Sequence, residues 1–558
     1  MGKWADPQID RMQQTLFAPT LDAMIDADHP VRLFDDLLRA VDWSAWEGQY
    51  VLAVGQPPIH PRVVAGIILY GLTRGLRSSR QLEYACQSSI DFMWLAERRT
   101  IDHATLCAFR NRFGKELKDL FRQIGRLAMG LGLIRLNEMS LDGTRIKANS
   151  SRHGTATAKT IEKRLADLDA AMEKMLTESQ AADEQEDLFG SDGTPAHLPR
   201  SLADARRRRA HLAKALAAAQ AKEGHAGTEA ASKPEAQASQ EPAGSPAEDV
   251  PPDAAVSVPS AATEPPKPAK APKVPVADPD ATIQPNKEGG FAPNYTPLLA
   301  VDGTHGLIVD AEVLAHGDEG SETLATVDRV EGTFGEKPEQ FLADGAHGSG
   351  ANLAGLEARG VEGFIPQAQR EDTAENPAKR PDPTQPVPAS AWAALPRNTR
   401  TKKLDRAAFV FDRAQDCYSC PMGHRLDFVQ RQDKYRRNGG GVYRLYRGTA
   451  CVGCPLAGEC VAAKSACRTV FRDDYEDFRE AMDERLRSAE GQATYRRRTW
   501  MAETPNAVVK GRMGVRQFLT RGLEKVKTEW WWICTAFNLE KMVRLVSERR
   551  RRLLALAQ

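Results

Sequence analysis

At 558 residues, 41% of them hydrophobic, the chain is long enough for three or four domains and apolar enough to bury a core in each. Its formal net charge of +1 hides an uneven spread: 12 Lys/Arg against 6 Asp/Glu from His60 to Gly130, and 15 against 5 from Tyr495 onward, with acids concentrated between about Ala158 and Pro285. Two basic regions around an acidic insertion fit a polyanion partner. The longest wholly apolar run, Trp530 to Ile533 with its neighbours, falls far short of the ~20 residues of a membrane span. The N-terminus lacks the charged and apolar regions of a secretory signal. A soluble, cytoplasmic protein is therefore expected, in which nine cysteines favour metal over disulfides.

Residues 1–132 read as a helical domain. His60-Pro61 opens an apolar helix through Leu72, Ser78-Ser79 and Asp102 can cap the next helices, and Leu117 to Leu131 forms another. Arg80 and Arg110 are among the arginines on these short helices, a pattern compatible with a helix-turn-helix reader of DNA. Residues 133–150 and 290–370 read as the first part of a catalytic core. Strand signals surround Asp142, Tyr295–Val301 and Leu307–Val313 flank a turn at Asp302, and helix–strand alternation follows through Gln340–Ala343 to Gly363–Pro366. Between them, Ile161, Leu165, Leu168, Met172 and Met175 alternate by four and three, so 151–222 reads as a coiled-coil hairpin. From Ala217 to Thr282 there is no Leu, Ile, Met, Phe, Tyr or Trp, and 223–289 reads as a disordered linker. A Pro-rich linker (371–401), a Cys-rich module (402–472) and a helical, basic C-terminal part (473–558) complete the chain.

Three isolated carboxylates stand out: Asp142 in Leu-Asp-Gly-Thr-Arg-Ile-Lys, Asp344 in Ala-Asp-Gly-Ala-His, and Glu503 after Tyr-Arg-Arg-Arg-Thr-Trp-Met-Ala, with Lys510 seven residues on. Carboxylates at strand ends converge where loops and helix termini meet. Mg²⁺ or Mn²⁺ prefers such hard oxygens, shared with phosphate and water, and two ions ~4 Å apart can activate one oxygen and stabilise another. Lys510 would share the face of Glu503 if both lie on one helix. Pro505 makes that helix either start near Thr504 or kink there. Asp302, also in Asp-Gly-Thr, reads as a hairpin turn, and His347 as a supporting or DNA-facing residue. Cys417-x2-Cys420 and Cys451-x2-Cys454, with Cys460 and Cys467 beyond, are candidates for a structural Zn²⁺ site; six thiols for four positions leave the ligand set open, and His424 could substitute. Cys86, Cys107 and Cys534 read as core packing.

Taken together the chain resembles a DDE transposase of a bacterial insertion sequence with an InsH-type N-terminal domain. The resemblance rests on Gly55-Gln56-Pro57-Pro58-Ile59-His60-Pro61, Leu69-Tyr70-Gly71, Arg77-Ser78-Ser79-Arg80-Gln81-Leu82-Glu83 and Asp102-His103-Ala104-Thr105. It rests equally on the three carboxylate stretches, on Arg521-Gly522-Leu523-Glu524-Lys525-Val526 and on Ala536-Phe537-Asn538-Leu539. It implies an α/β fold with a ribonuclease-H-like mixed sheet as catalytic core, an all-α N-terminal domain, a coiled-coil and disordered insertion, and a Cys-rich module. It further implies Asp142, Asp344 and Glu503 as a Mg²⁺-binding triad, with Tyr495, Arg498 and Lys510 in the accessory Tyr–Arg–Glu–Lys signature. Ala346 and His347 depart from the Gly-Tyr of many relatives, and Arg498 stands five residues before Glu503 rather than four. The partners implied are terminal inverted repeats and target DNA on the bacterial nucleoid. Arg80, Arg110, Tyr495, Arg498, Arg512 and Arg516 would contact the DNA, and the enzyme would act as a homodimer or higher oligomer. A degenerate, binding-only relative and a metal nuclease of the same fold are the alternatives.

Overall fold

A computed structural model describes residues 20–50, 57–187, 200–231, 271–285, 289–367, 375–434, 441–462 and 465–556. In chain order the elements are helices α1 (Pro30–Arg39), α2 (Ser44–Glu47), α3 (Pro61–Thr73), α4 (Ser79–Ser88), α5 (Ile90–Leu95), α6 (His103–Arg112) and α7 (Gly114–Gly130). There follow β1 (Glu138–Gly143), β2 (Ile146–Lys147), β3 (Thr155–Ala156), α8 (Ala158–Asp187), α9 (Arg200–Ala231), β4 (Val274–Pro275) and β5 (Thr282–Pro285). Next come β6 (Phe291–Asp302), β7 (Ile308–Leu314), α10 (Thr323–Phe334), β8 (Gln340–Leu342), α11 (Gly350–Ala358) and β9 (Glu362–Phe364). The remainder is β10 (Val410–Asp412), β11 (Cys417–Ser419), β12 (Arg425–Lys434), β13 (Gly441–Gly448), α12 (Ala457–Cys460), β14 (Thr469–Asp473), α13 (Glu476–Arg487), α14 (Ala489–Ala507) and α15 (Leu523–Leu556). These fall into two compact units, Met1–Ile146, Thr296–Arg516 and Glu524–Gln558 in one, Lys147–Tyr295 and Gln517–Leu523 in the other.

In the first unit the helix starts follow local chemistry. His60 accepts from the Arg62 amide ahead of Pro61, and the Asp102 carboxylate accepts from the Thr105 amide at 2.7 Å. Helix α3 is buried along nearly its whole length, which explains its lack of a polar stripe. Trp46 packs on Phe113 and Phe109 (centroids 4.7 and 5.5 Å) and meets Trp532 of α15 at 6.2 Å. The early helices thus dock on the C-terminal one, and Arg77 adds an ion pair to Glu529 at 2.9 Å.

The sheet of this unit runs β7-β6-β1-β8-β9. Strand β1 is antiparallel to β6 and parallel to β8, β6 and β7 form an antiparallel hairpin, and β8 and β9 are parallel. The expected strands around Asp142, Asp302 and Asp344 are therefore present in a mixed sheet. Asp302 is fully buried and accepts from the Leu136 amide (2.9 Å) and the Thr304 amide (2.8 Å), so it organises the hairpin turn. Helix α15 covers the sheet, with the indoles of Trp530 and Trp531 donating to the Leu298 and Ala311 carbonyls.

Strands β10-β11-β12-β13-β14 form a separate antiparallel sheet, whose core includes Tyr418, Tyr446, Leu426 and Val470. The segment expected as a Pro-rich linker (371–401) is, from Glu375 on, part of this module. Ala378, Val387 and Leu395 sit in its core, and the Arg380 guanidinium donates to the carbonyls of Gln385, Pro383 and Cys420. One arginine satisfying several turn carbonyls orders a stretch whose prolines cannot pair in a ladder. Residues 371–374 lie outside the described set.

In the second unit α8 and α9 form the expected hairpin. Gln220 reaches Glu162 while Arg209 reaches Asp169, so the helices run antiparallel. Among the described residues of the seam, Ile161 is buried with Leu212, Ala215 and Ala219, whereas Met175 is exposed. The linker expected at 223–289 is corrected where it is described. Helix α9 extends to Ala231, β4 pairs with β3, β5 pairs with the start of β6, and Val274 is buried in the hairpin core. Polar anchoring supplies what the composition lacks. Asp278 accepts from the Tyr295 hydroxyl (2.8 Å) and the Gly522 amide (3.0 Å), and Asp280 accepts from the Leu523 amide at 3.0 Å. The rest of that expectation, 232–270 and 286–288, lies outside the described residues.

Candidate active site

Asp142 is the penultimate residue of β1, and Asp344 follows two residues after β8. Because Ser140 is registered with Leu342 in the parallel pair, both aspartates leave the sheet at the same end. Asp344 folds back to accept from the Ala346 amide at 2.9 Å. The Arg498 guanidinium, arriving from α14, donates to Asp142 at 2.6 Å and stands 4.0 Å from Asp344. Two half-desolvated carboxylates at one strand end thus bracket a cation. The Asn506 amide donates to the second Asp142 oxygen at 3.3 Å, and Lys510 bonds the Thr144 hydroxyl. Tyr495 lies beside Arg498, its phenol pushed up by burial.

A further carboxylate, Glu319, belongs to this cluster and was not singled out from the sequence. Burial, then the charges of Asp344 and Asp142, push it up to about 7, while the Gly143 amide donates to it. Gly143 leaves the room: a Cβ there would run into the Glu319 carboxylate. In sequence Glu319 lies in Gly-Asp-Glu-Gly-Ser-Glu, which looks like any acidic loop; only the paired strands show what it approaches.

The helix carrying the third expected carboxylate neither begins nor breaks at Pro505. Helix α14 starts at the Ser488 cap, runs through Pro505, and passes into a π-helical turn at Val508–Arg512. Proline lacks the amide that would close on Met501, and the altered ladder just beyond it accommodates the loss. Arg498, Ala502 and Asn506 recur every four residues on the side facing Asp142. Glu503, five residues from Arg498, lies about 140° around the helix and is exposed. Among the described residues no ion pair or hydrogen bond joins it to Asp142 or Asp344, and no three His, Cys, Asp or Glu side chains stand at metal-holding spacing. The structure brings Asp142, Asp344, Arg498, Tyr495 and Lys510 to one region, while Glu503 is exposed on α14, three residues before Asn506.

Other expected contacts separate in the same way. Arg80 and Arg516 are exposed, and Arg512 is ion-paired to Glu540. Arg110 donates inward to the Arg77 carbonyl at 2.6 Å, and burial lowers its guanidinium pKa, so it fastens the helices. His347 is fully buried, with Nδ1 2.9 Å from the Thr323 hydroxyl, a position that fits the supporting one of the two roles expected for it. Cys86 and Cys534 are buried as expected, but Cys107 is exposed on the outer side of α6. Cys417 and Cys420 part company: Cys420 lines a small cavity with Cys451, Cys454 and Cys460, while Cys417 sits elsewhere on β11.

Residues 19–112 match a family described as Transposase domain (DUF772), and residues 419–543 match one described as Transposase DDE domain. Two separate segments of the chain are thus similar to transposase domains. Together the matches support a DDE transposase of an insertion sequence. No curated protein sequence matches the chain. No helix among the described residues is long and apolar enough to cross a membrane.

Proposed function

We propose that the protein cuts DNA at the ends of an insertion sequence and joins the freed 3′-hydroxyl to target DNA, with Asp142 and Asp344 holding Mg²⁺ or Mn²⁺. The observation that carries this reading is the pair of aspartates at one end of β1 and β8 with a guanidinium between them. The strand order β7-β6-β1-β8-β9, with three antiparallel strands followed by two parallel ones, supports a ribonuclease-H-like core. Hard carboxylate oxygens fit a divalent cation of this kind. Such an ion, when bound, polarises the phosphodiester and stabilises developing charge. The chain's own residues do the rest. Asp142 and Asp344 orient the cation, Arg498 neutralises the carboxylates and stands ready for a phosphate oxygen, and Lys510 lies at the rim beside Thr144. Glu503 is carried three residues before Asn506, on the helix that already touches Asp142. Arg80, Arg516 and the C-terminal arginines would hold phosphates along the duplex.

The test is cleavage and joining of DNA bearing the element's terminal repeats, with Mg²⁺, by the wild type and by Asp142→Asn, Asp344→Asn and Glu503→Gln. Loss of both products in the aspartate variants supports the reading, and retained activity in both removes it. One observation favours a second reading, a binding protein that no longer cuts: Glu503 is exposed and unconnected to the pair. A gel shift on terminal DNA without metal-dependent nicking would select it. Nicked products that are never joined would select a nuclease.

A further inference from the structure

We propose that Cys420, Cys451, Cys454 and Cys460 bind one structural zinc ion, and that Cys417 takes no part. The four thiols line one cavity of about 30 Å³, walled also by His424, Arg425 and Arg468 and by apolar residues such as Leu404 and Phe409. That volume holds a single ion or water and no organic ligand. Each contributing segment is a tight turn. The Cys420 amide donates to the His424 carbonyl and the Gly423 amide to the Cys420 carbonyl, both at 2.9 Å, with Gly423 at φ +80°. Cys451 to Cys454 closes a second turn with Gly453 at φ +75°, and the Cys454 carbonyl receives the Ala457 amide at 2.9 Å, leading into α12, which ends at the buried Cys460. A glycine in the left-handed region lets the backbone double back so that neighbouring thiols can turn inward.

Backbone amides already point at the sulfurs. The Arg468 amide lies 3.4 Å from Cys451 Sγ, and the Met422 and His424 amides donate to the Cys420 sulfur. Burial pushes the Cys420, Cys451 and Cys460 thiols up, and the amide–sulfur hydrogen bonds on Cys420 and Cys451 partly offset this while holding those sulfurs in orientation. The Arg468 guanidinium, which donates to the Cys460 carbonyl at 3.1 Å, adds positive charge beside the thiols. Cys417 does not line the cavity, and burial raises its thiol, with Arg425 as well as Asp412, Asp427 and Asp416 around it. Cys467 is hydrogen-bonded to Cys451 but does not line the cavity. The four sulfurs surround the cavity short of ligand spacing; rotation about χ1 on metal binding would close the set, as folding and metal binding commonly couple.

The full-length chain, purified after growth with zinc, is expected to carry one zinc per chain by elemental analysis. Its Co²⁺-exchanged form should show an intense thiolate-to-cobalt band in the near ultraviolet. Cys454→Ser and Cys460→Ser should each lower bound metal at least about tenfold, as loss of a direct ligand should cost no less than loss of an outer-shell partner, while Cys417→Ser and Cys467→Ser should keep it. Because a ligand variant can unfold, chelation of the wild type is the second arm, expected to lower the melting temperature of the module. Folded wild type with no zinc and no cobalt band overturns the proposal, as does equal metal loss in Cys417→Ser and Cys454→Ser. A metal-free Cys451–Cys467 disulfide, seen as a mass two hydrogens lighter, overturns it too. No DNA enters these measurements, so their outcome is separate from that of the cleavage assay.

Discussion

The carboxylate pocket and the cysteine module solve the same problem, gathering polar side chains around one point, by opposite routes. The pocket draws Asp142, Glu319, Asp344 and Arg498 from distant parts of the chain, and strand pairing plus the packing of α14 brings them together. The module takes Cys420 to Cys460 from a single stretch and relies on glycine turns and backbone amides. The difference predicts where each is fragile. A pocket built from long-range pairing tolerates no added bulk between its layers. A cluster built from turns depends on φ angles and little on its wider surroundings.

The largest effect should come from the pocket. Asp142→Asn or Asp344→Asn is expected to reduce cleavage of terminal DNA by on the order of 10²–10³-fold or more, the scale for losing one preorganised electrostatic partner. Rates within a few-fold of wild type would show that the two strand ends are not the reactive centre. Next, Gly143→Ala should destabilise the first unit by about 1–3 kcal/mol in urea titration, because the new methyl meets Glu319. Adding Glu319→Ala should restore much of the loss; no restoration would deny that Glu319 fills that space. On the module side, Gly453→Ala forces a left-handed conformation on a residue with a Cβ and should cost about 1–2 kcal/mol, with no steric neighbour to blame. If Gly453→Ala instead proved neutral, the turn account of the module would fail.

A smaller effect concerns pH. The Glu319 carboxyl is raised in the folded state to about 7 from its ordinary value. The folded chain therefore holds this proton longer than the unfolded chain, so stability falls as pH rises from the ordinary carboxylate range through about 7. Glu319→Gln should flatten that decline, measured as urea midpoints between pH 5 and 8. An unchanged slope would mean that the proton sits on another group. Smallest of all, exposed Cys107→Ser should leave stability within about 0.5 kcal/mol, whereas fully buried Cys534→Ser should cost about 1–3 kcal/mol.

Much of this molecule was legible before its structure. The strands around Asp142, Asp302 and Asp344, the helix opening at His60-Pro61, the cap at Asp102, and the antiparallel hairpin of α8 and α9 follow from periodicity and turn chemistry, which are local, whereas Ser78 precedes α4 without a side-chain capping bond. The misreadings share one cause. Residues 271–285 and 375–401 look unable to fold by composition, yet Asp278, Asp280 and Arg380 order them through hydrogen bonds to partners that a window of sequence does not contain. Arg110 looks like a surface group until the neighbours that bury it are in place, and only they choose between the two roles open to His347.

What the sequence determined alone was therefore the inventory: which carboxylates, thiols and basic helices exist, and which segments carry them. The tertiary structure decided their company. It set Asp142 beside Asp344, brought Glu319 to both, turned Arg498 inward, and separated Cys417 from the thiols that line the cavity. The physical reason lies in range. Helix periodicity, caps and turns are set within a few residues, whereas strand register and helix rotation are fixed by burial summed over the whole unit.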